Sequence, residues 1–387
     1  MTEKYDLAVF IGRFQPFTLA HKQVAEEALK KAHKLLILVG SSQAAPSYKN
    51  PFTFKEREAF INFSINNGFV PDNESVTIKP IEDSAYNIDA WVAEVQQAVS
   101  LYFLEKNAWK YQFGPDYESG DLWEITTDEE GNRVKKKVYK LPDNPKVCLV
   151  GNFKDDSSFY LNLFPQWDLI TPGMFNNGLS ATDVRKYLFD PSHSPLLAQR
   201  LVGDAVYESI QNILSQDADR HFNICEEKAF IKSYKKQWSV APHPPVFVTT
   251  DALVINKGHL LLIKRKLNPG RGLWALPGGF LNPNESVENC AVRELKEETK
   301  INVPVPILKS SITKKEMFDH PNRDPRGRII THCFLFDVQF GKGRDLIKIK
   351  AGDDAAGARW VQLGDLESMD GQFFSDHLQI IRKMLGL

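Results

Sequence analysis

Two short stretches hold most of the residues whose types and spacing can do chemistry. The first, GRFQPFTLAH at residues 12–21, follows an apolar run and leads into a helical pattern. Gly12 lets the backbone approach an anion, Arg13 adds a fixed cationic fork, Pro16 stiffens the loop, and Thr18 and His21 offer donors along the entering helix. Cations and free amides without a nucleophile suit the binding of phosphate, not attack on it. The second stretch, GFLNPNESVENCAVRELKEETKI at residues 279–301, sets Glu294 and Glu298 four residues apart with Glu297 beside them, so three carboxylates crowd one side of a helix. That crowding is unfavourable without a cation. Hard oxygen donors in this number suit Mg²⁺ or Mn²⁺, which would hold a diphosphate and lower the pKa of an attacking water. Arg293 can pair with Glu285 or Glu297 to orient the ligands. Lys300 stands where a glycine usually makes the left-handed turn that ends such a helix.

Both stretches need rigid elements behind them. DLAVFIG and KLLILVG read as buried parallel strands, and between them Val24, Ala25, Ala28 and Leu29 fall on one helical face. The rhythm continues with a helix over 55–66, a strand in SVTIKPI, a helix over 89–104 and a strand in KVCLVG, which predicts a doubly wound parallel α/β sheet. EEGN between two alternating charged stretches predicts a hairpin insertion at about 118–142, its basic run at 133–137 being a solvated face. APHPP at 241–245 cannot sit inside a helix or central strand and marks a boundary. The expected organisation is a first domain over 1–220, a helical linker over 221–244, and an α+β domain over 245–387. The last is built from two strands turning at 256–258, a helix over 286–299, strands near 328–339 and 359–361, and a helix over 375–385.

Composition narrows the class of function. A chain of 387 residues suits two domains, and a net charge of -1 gives no broad basic field for nucleic acid. Cys148, Cys225, Cys290 and Cys333 lie far apart with no CxxC pair, which argues against a zinc site or a disulfide framework and for a reducing compartment. No leader-like start or membrane-length apolar run is present, so a cytoplasmic protein is expected, with no membrane partner. Whether it forms a homo-oligomer stays open.

The first stretch, with LSATDVRKYL at 179–188, resembles the two signatures of the nucleotidyltransferase superfamily. The resemblance implies that Gly12, Arg13, Phe14, Pro16, Thr18, His21, Ser180, Thr182 and Arg185 bind ATP, with His21 and Arg185 acting on its phosphates and Ser180 capping a helix. Thr18 and Ala20 depart from the histidine and glycine found in many relatives, and a hydroxyl still donates to phosphate. NPFTFKER at 50–57 and YNIDAWV at 86–92 are similar to segments of archaeal-type nicotinamide mononucleotide (NMN) adenylyltransferases. They imply that Trp91 stacks on the nicotinamide ring while Asn87, one helical turn earlier, bonds its carboxamide.

The second stretch resembles the Nudix box, with Gly279, Glu285, Arg293, Glu294, Leu295, Glu297, Glu298 and Ile301 in register. Gly279, Glu294, Glu297 and Glu298 are then the implied metal ligands, Glu294 and Glu298 being catalytic. FDHPNRDPRGRIIT at 318–331 looks like a segment of Nudix proteins that handle ADP-ribose, which implies contacts from Arg323 and Arg326, with Arg328 in the same loop. The general base stays unassigned between the box helix and distal groups such as Asp353 and Asp354. The whole chain resembles the bifunctional NMN adenylyltransferase/Nudix hydrolase family. The implied reactions are NAD synthesis from ATP and NMN, and Mg²⁺-dependent cleavage of ADP-ribose to AMP and ribose 5-phosphate. A Nudix domain that only senses ADP-ribose or NAD, a different acceptor for the first domain, and the amide or acid form of the mononucleotide remain open.

Overall fold

The computed structural model describes residues 4–66, 75–107, 122–127, 133–138, 144–154, 156–173, 180–339, 343–352 and 355–387. The first domain runs β1 (Tyr5–Gly12), α1 (Leu19–Lys31), β2 (Ala32–Val39), α2 (Phe54–Asn66), β3 (Val76–Pro80) and α3 (Ile88–Asn107). It continues with β4 (Leu122–Thr127), β5 (Arg133–Val138), β6 (Val147–Val150), β7 (Asp168–Ile170), α4 (Ala181–Phe189), α5 (Leu196–Val202) and α6 (Asp204–Gln216), and passes into α7 (Ala218–Gln237). Five strands form one parallel sheet in the order β3-β2-β1-β6-β7. The order reverses between β1 and β6, the kind of switch point beside which open α/β sheets bind ligands at the carboxyl ends of their strands.

Alternation along the strands builds a core on each face of that sheet. Ala8, Phe10, Leu35, Ile37, Cys148 and Val150 pack with α1, α2 and α4 through Val24, Ile61 and Val184. Leu7, Val9, Ile11, Leu36, Leu38 and Leu149 pack with α3 through Val95, Val99 and Tyr102. Both faces are covered, which is why the strands read as unbroken apolar runs. β4 and β5 pair antiparallel in a sheet of their own, as the turn signal predicts, and the turn itself lies outside the described residues.

The second domain comprises β8 (Val246–Asn256), β9 (His259–Arg265), β10 (Trp274–Ala275), β11 (Gly278–Phe280), α8 (Val287–Thr299), α9 (Val305–Ser310), β12 (Ile312–Phe318), β13 (Arg328–Asp337), β14 (Ala355–Gln362) and α10 (His377–Leu385). Its mixed sheet has β8 parallel to β13, with β9, β11, β12 and β14 added antiparallel. Ala252 and Val254 of β8 face α8 through Ala291, Val292 and Leu295, while Leu253 faces α10 through Leu378 and Ile381. The three buried cysteines, Cys148, Cys290 and Cys333, are free thiols, and Cys225 is a half-buried one. Among the described residues no helix is long and apolar enough to cross a membrane.

The linker departs from expectation. Its helix starts at Ala218, capped by Asp217, and its buried residues include Ile224, which joins the core of the first domain. Glu227 on the same helix is buried and accepts the Tyr48 N–H (2.7 Å) with one carboxylate oxygen and the Gly270 N–H (3.1 Å) with the other. α7 therefore belongs to both domains. A second contact joins the loop before α3 to α10 and β12: Arg382 pairs with Glu82 at 2.5 Å, Gln379 accepts from the Ala85 N–H, and Tyr86 packs on Phe318 of β12 with ring centres 4.9 Å apart.

Candidate active sites

The first site lies at the rim of the parallel sheet, where β1 runs into α1. Thr18 caps α1: its hydroxyl accepts the His21 N–H while its own N–H donates to His21 Nδ1 at 3.0 Å. That bond fixes the imidazole as the Nε2–H tautomer, a donor. Phe14 and Phe17 pack on the ring at 5.1 and 5.5 Å, and desolvation followed by Lys154 pushes its pKa down to about 3. Ser180 caps α4 with Asp183 completing the reciprocal box, which aims the first turn at the same rim.

Cations gather behind this rim. Arg57 is fully buried and donates to four main-chain carbonyls, those of Arg13, Gly40, Ser41 and Thr53. Arg185 donates to the Gln15 carbonyl (2.7 Å) and to Thr182 Oγ1 (3.0 Å), but its buried Nε–H has no partner among the described residues. Burial and then Arg13 push the Arg185 guanidinium down to about 10, and the same two causes lower the Lys49 ammonium. Like charges held together at an uncompensated donor define a place for an anion.

The second site is built on α8. Arg293 grips three carboxylates: Glu285 through Nε and Nη2 (3.0 and 2.6 Å), Glu294 at 2.7 Å and Glu297 at 3.0 Å. Its bonds to Glu285 hold that carboxyl down at about 2. Glu298 is buried, accepts the Gly278 N–H at 2.9 Å, and is pushed up to about 8, chiefly by desolvation, with the neighbouring Glu294 and Asp251 also raising it. Among the described residues no three such groups converge on one point, because Arg293 takes up Glu294 and Glu297. The donor set nevertheless fits a hard divalent cation: carboxylate oxygens in excess of local positive charge, on one helical face, with two of them raised by burial. A cavity of about 470 Å³ opens nearby, lined in part by Phe280, Arg265 and Arg326.

A cytidylyltransferase-like family model matches residues 9–186, and a Nudix-domain model matches residues 246–384. A crystal structure from Francisella tularensis, described as a bifunctional NMN adenylyltransferase/ADP ribose pyrophosphatase, is 32% identical, covers 99% of both chains and superposes with a TM-score of 0.80. This chain belongs to that bifunctional family. A second structure of the F. tularensis protein, with AMP and a manganese ion, matches over 99% of both chains at 31% identity and the same TM-score of 0.80. The chain is also similar to an ADP-ribose pyrophosphatase of Methanocaldococcus jannaschii, 38% identical over 40% of this chain and 82% of that one. A nicotinamide/nicotinic acid mononucleotide adenylyltransferase of Acinetobacter baylyi is 31% identical over 48% of this chain and 77% of that one.

Within this family frame several expected roles change. Gly12 is needed because a Cβ there would meet the Phe14 ring at 2.8 Å, so the glycine admits an aromatic side chain, and Phe14 is itself buried with φ at 48°. Thr18 acts first as a cap, and Pro16 follows Gln15 through a cis peptide. Asn87 stands one helical turn before Trp91, as expected: its carbonyl accepts the Trp91 N–H at 3.2 Å, and its side-chain oxygen caps the Ala90 N–H at 3.1 Å just ahead of α3. Trp91 is half-buried against Tyr160 and Phe164, at 5.9 and 6.0 Å. Gly279 makes room for a ligand, since a Cβ would lie 2.4 Å from Glu294 Oε1.

Arg323 is buried and bound through two donors to Asp376 at 2.9 and 3.0 Å, an ion pair inside the domain that its loop sequence does not reveal. Arg326 does line the cavity, held by Asp324 and lying over the Phe280 ring at 5.1 Å. Arg328 donates to the Asp319 carbonyl. Lys300 adopts the left-handed turn, with φ at 43°. Asp353 and Asp354 lie outside the described residues. Sequence reasoning passed over Arg57, Gln15, whose amide clamps both main-chain groups of Phe52, and Asp251, a buried carboxylate bonded to Thr331 at 2.6 Å.

Proposed function

We propose that the first domain transfers the adenylyl group of ATP to NMN, forming NAD and releasing pyrophosphate, and that the second hydrolyses ADP-ribose to AMP and ribose 5-phosphate. The observation that carries this reading is the match over 99% of the chain to a bifunctional relative. The unsatisfied cationic rim and the carboxylate face of α8 support it independently.

In the transfer step an oxygen of the NMN phosphate attacks the α-phosphorus of ATP in line, and the bond to the β-phosphate oxygen breaks. No covalent intermediate on the protein is needed; alignment and neutralisation suffice. Arg185, Arg13 and the Nε2–H of His21 are the donors for the phosphates, while Trp91 and the side-chain amide nitrogen of Asn87 stand ready for the nicotinamide end. In the hydrolase, Glu294, Glu297 and Glu298 would hold Mg²⁺ or Mn²⁺, which when bound supplies charge neutralisation and an acidified water. Arg293 keeps Glu285, Glu294 and Glu297 in register until the cation takes its share. The same reading sets the protein in the cytoplasm, with these small molecules as its partners.

The test is purified protein at millimolar Mg²⁺, assayed separately for NAD formation and for AMP release. Glu298→Gln should abolish hydrolysis and leave NAD formation nearly unchanged. Neither product from the unaltered protein would overturn the reading.

A further inference from the structure

Phe230 and Tyr234 of helix α7 and Trp238, its C-cap, stand at spacings of four, so the three rings rise along one side, with ring centres 6.1 and 6.4 Å apart. They do not serve a core. The residues α7 buries include Ile224, Glu227 and Ile231, whereas Phe230 is 37% and Trp238 42% exposed. Trp238 and Tyr234 rest on Phe247 of β8, at 4.9 and 6.1 Å, and Phe247 in turn touches Phe280 at 5.9 Å. Phe230 and Tyr234 thereby become one wall of the 470 Å³ cavity whose other walls are Phe280, Arg265, Arg271 and Arg326. Arg271 is tied back to α7 by a bond to Asn223.

The cavity has a direction. The Phe280 carbonyl accepts from Arg293 Nη2 at 3.2 Å, and the Glu298 carboxylate acts electrostatically on Arg265, so the metal-binding carboxylates lie on the Phe280 and Arg265 side. A diphosphate must sit at that end, where Arg326 is anchored over Phe280. What remains for the rest of a bound nucleotide is the side formed by α7, which is aromatic. Planar bases stack on such rings whatever their hydrogen-bonding edges.

We propose that α7, which lies between the two family-model matches in sequence, supplies the base-recognition wall of the hydrolase: Phe230 and Tyr234 receive the purine of a nucleoside diphosphate whose phosphates lie against Arg265 and Arg326. This rests on the hydrolase reading above and adds its specificity element. The test uses the full chain with Phe230→Ala and Tyr234→Ala, and Tyr234→Phe as the conservative control. Each alanine variant should raise KM for ADP-ribose by about tenfold with kcat kept within about twofold, the range expected for loss of one base–aromatic stack. Inhibition by AMP should weaken by the same factor, inhibition by ribose 5-phosphate should not change, and Tyr234→Phe should behave as the unaltered protein. NAD formation should be unaffected. Unchanged KM and AMP inhibition in both alanine variants would overturn the proposal, as would equal losses for AMP and ribose 5-phosphate. If the unaltered protein does not cleave ADP-ribose, calorimetric titration with AMP in Mg²⁺ still decides: a tenfold weaker titration in the variants keeps the wall and discards the hydrolase.

Discussion

Replacing Arg323 by methionine separates a ligand-binding arginine from a structural one. The side chains of Arg323 and Asp376 are 6% and 7% exposed and share two charge-assisted bonds, and Asp376 also accepts the Tyr86 hydroxyl from the other domain. Methionine fills similar volume but strands the carboxylate in the interior with only the tyrosine as a donor. Breaking one side of a buried pair costs about 3–5 kcal/mol. For a unit of this size, a loss of that order lowers the unfolding midpoint by roughly 10 °C. Asp376→Asn added to the methionine variant removes the stranded charge and should restore about half of the loss. Differential scanning calorimetry reads the midpoint, and ADP-ribose hydrolysis well below it reads KM. A midpoint within about 2 °C of the unaltered protein, together with a KM raised about tenfold, would return Arg323 to the substrate and refute the reasoning.

Further outcomes follow from single contacts. Gly279→Ala puts a methyl group 2.4 Å from Glu294 Oε1 and should cut kcat for hydrolysis by about a hundredfold while NAD formation continues, as parallel assays would register. Lys300→Gly relieves a left-handed backbone and should stabilise the second domain by about 1 kcal/mol in urea titration. His377 accepts the Leu276 N–H at 3.0 Å, and burial pushes its pKa from 6.5 down to about 3. Its folded-state pKa is depressed, so the stability it contributes is complete above pH 6.5 and is lost as the pH falls toward 3. His377→Asn, which keeps an acceptor that does not titrate there, should flatten the decline of the thermal midpoint over that window.

The regular elements were legible because burial on both faces leaves a plain trace in sequence. DLAVFIG became β1, Tyr5–Gly12, and the expected box helix over 286–299 became α8, Val287–Thr299. The phosphate rim was legible as residue types but not in its packing: Gly12 leaves room for the Phe14 ring, and the Asn87 side-chain oxygen caps a helix end. Arg57 looks like any cation on an amphipathic helix, since the carbonyls it binds come from loops far apart in sequence. The ion pair of Arg323 was hidden for a related reason. An arginine in a Pro- and Gly-rich loop reads as exposed, and its partner Asp376 stands 53 residues away. The start of α7 was legible in Asp217, a good cap, but the proline-rich boundary drew attention to the helix's other end.

Glu227 gives the two halves a common inheritance. Its oxygens bind one amide from each domain, Tyr48 beside the cationic rim and Gly270 beside the cavity. A recombination event that exchanged either half for a foreign relative would leave this carboxylate facing a loop of another shape. A chimaera that kept only one half would therefore have to carry the helix with it and rebuild the joint at Tyr48 or Gly270.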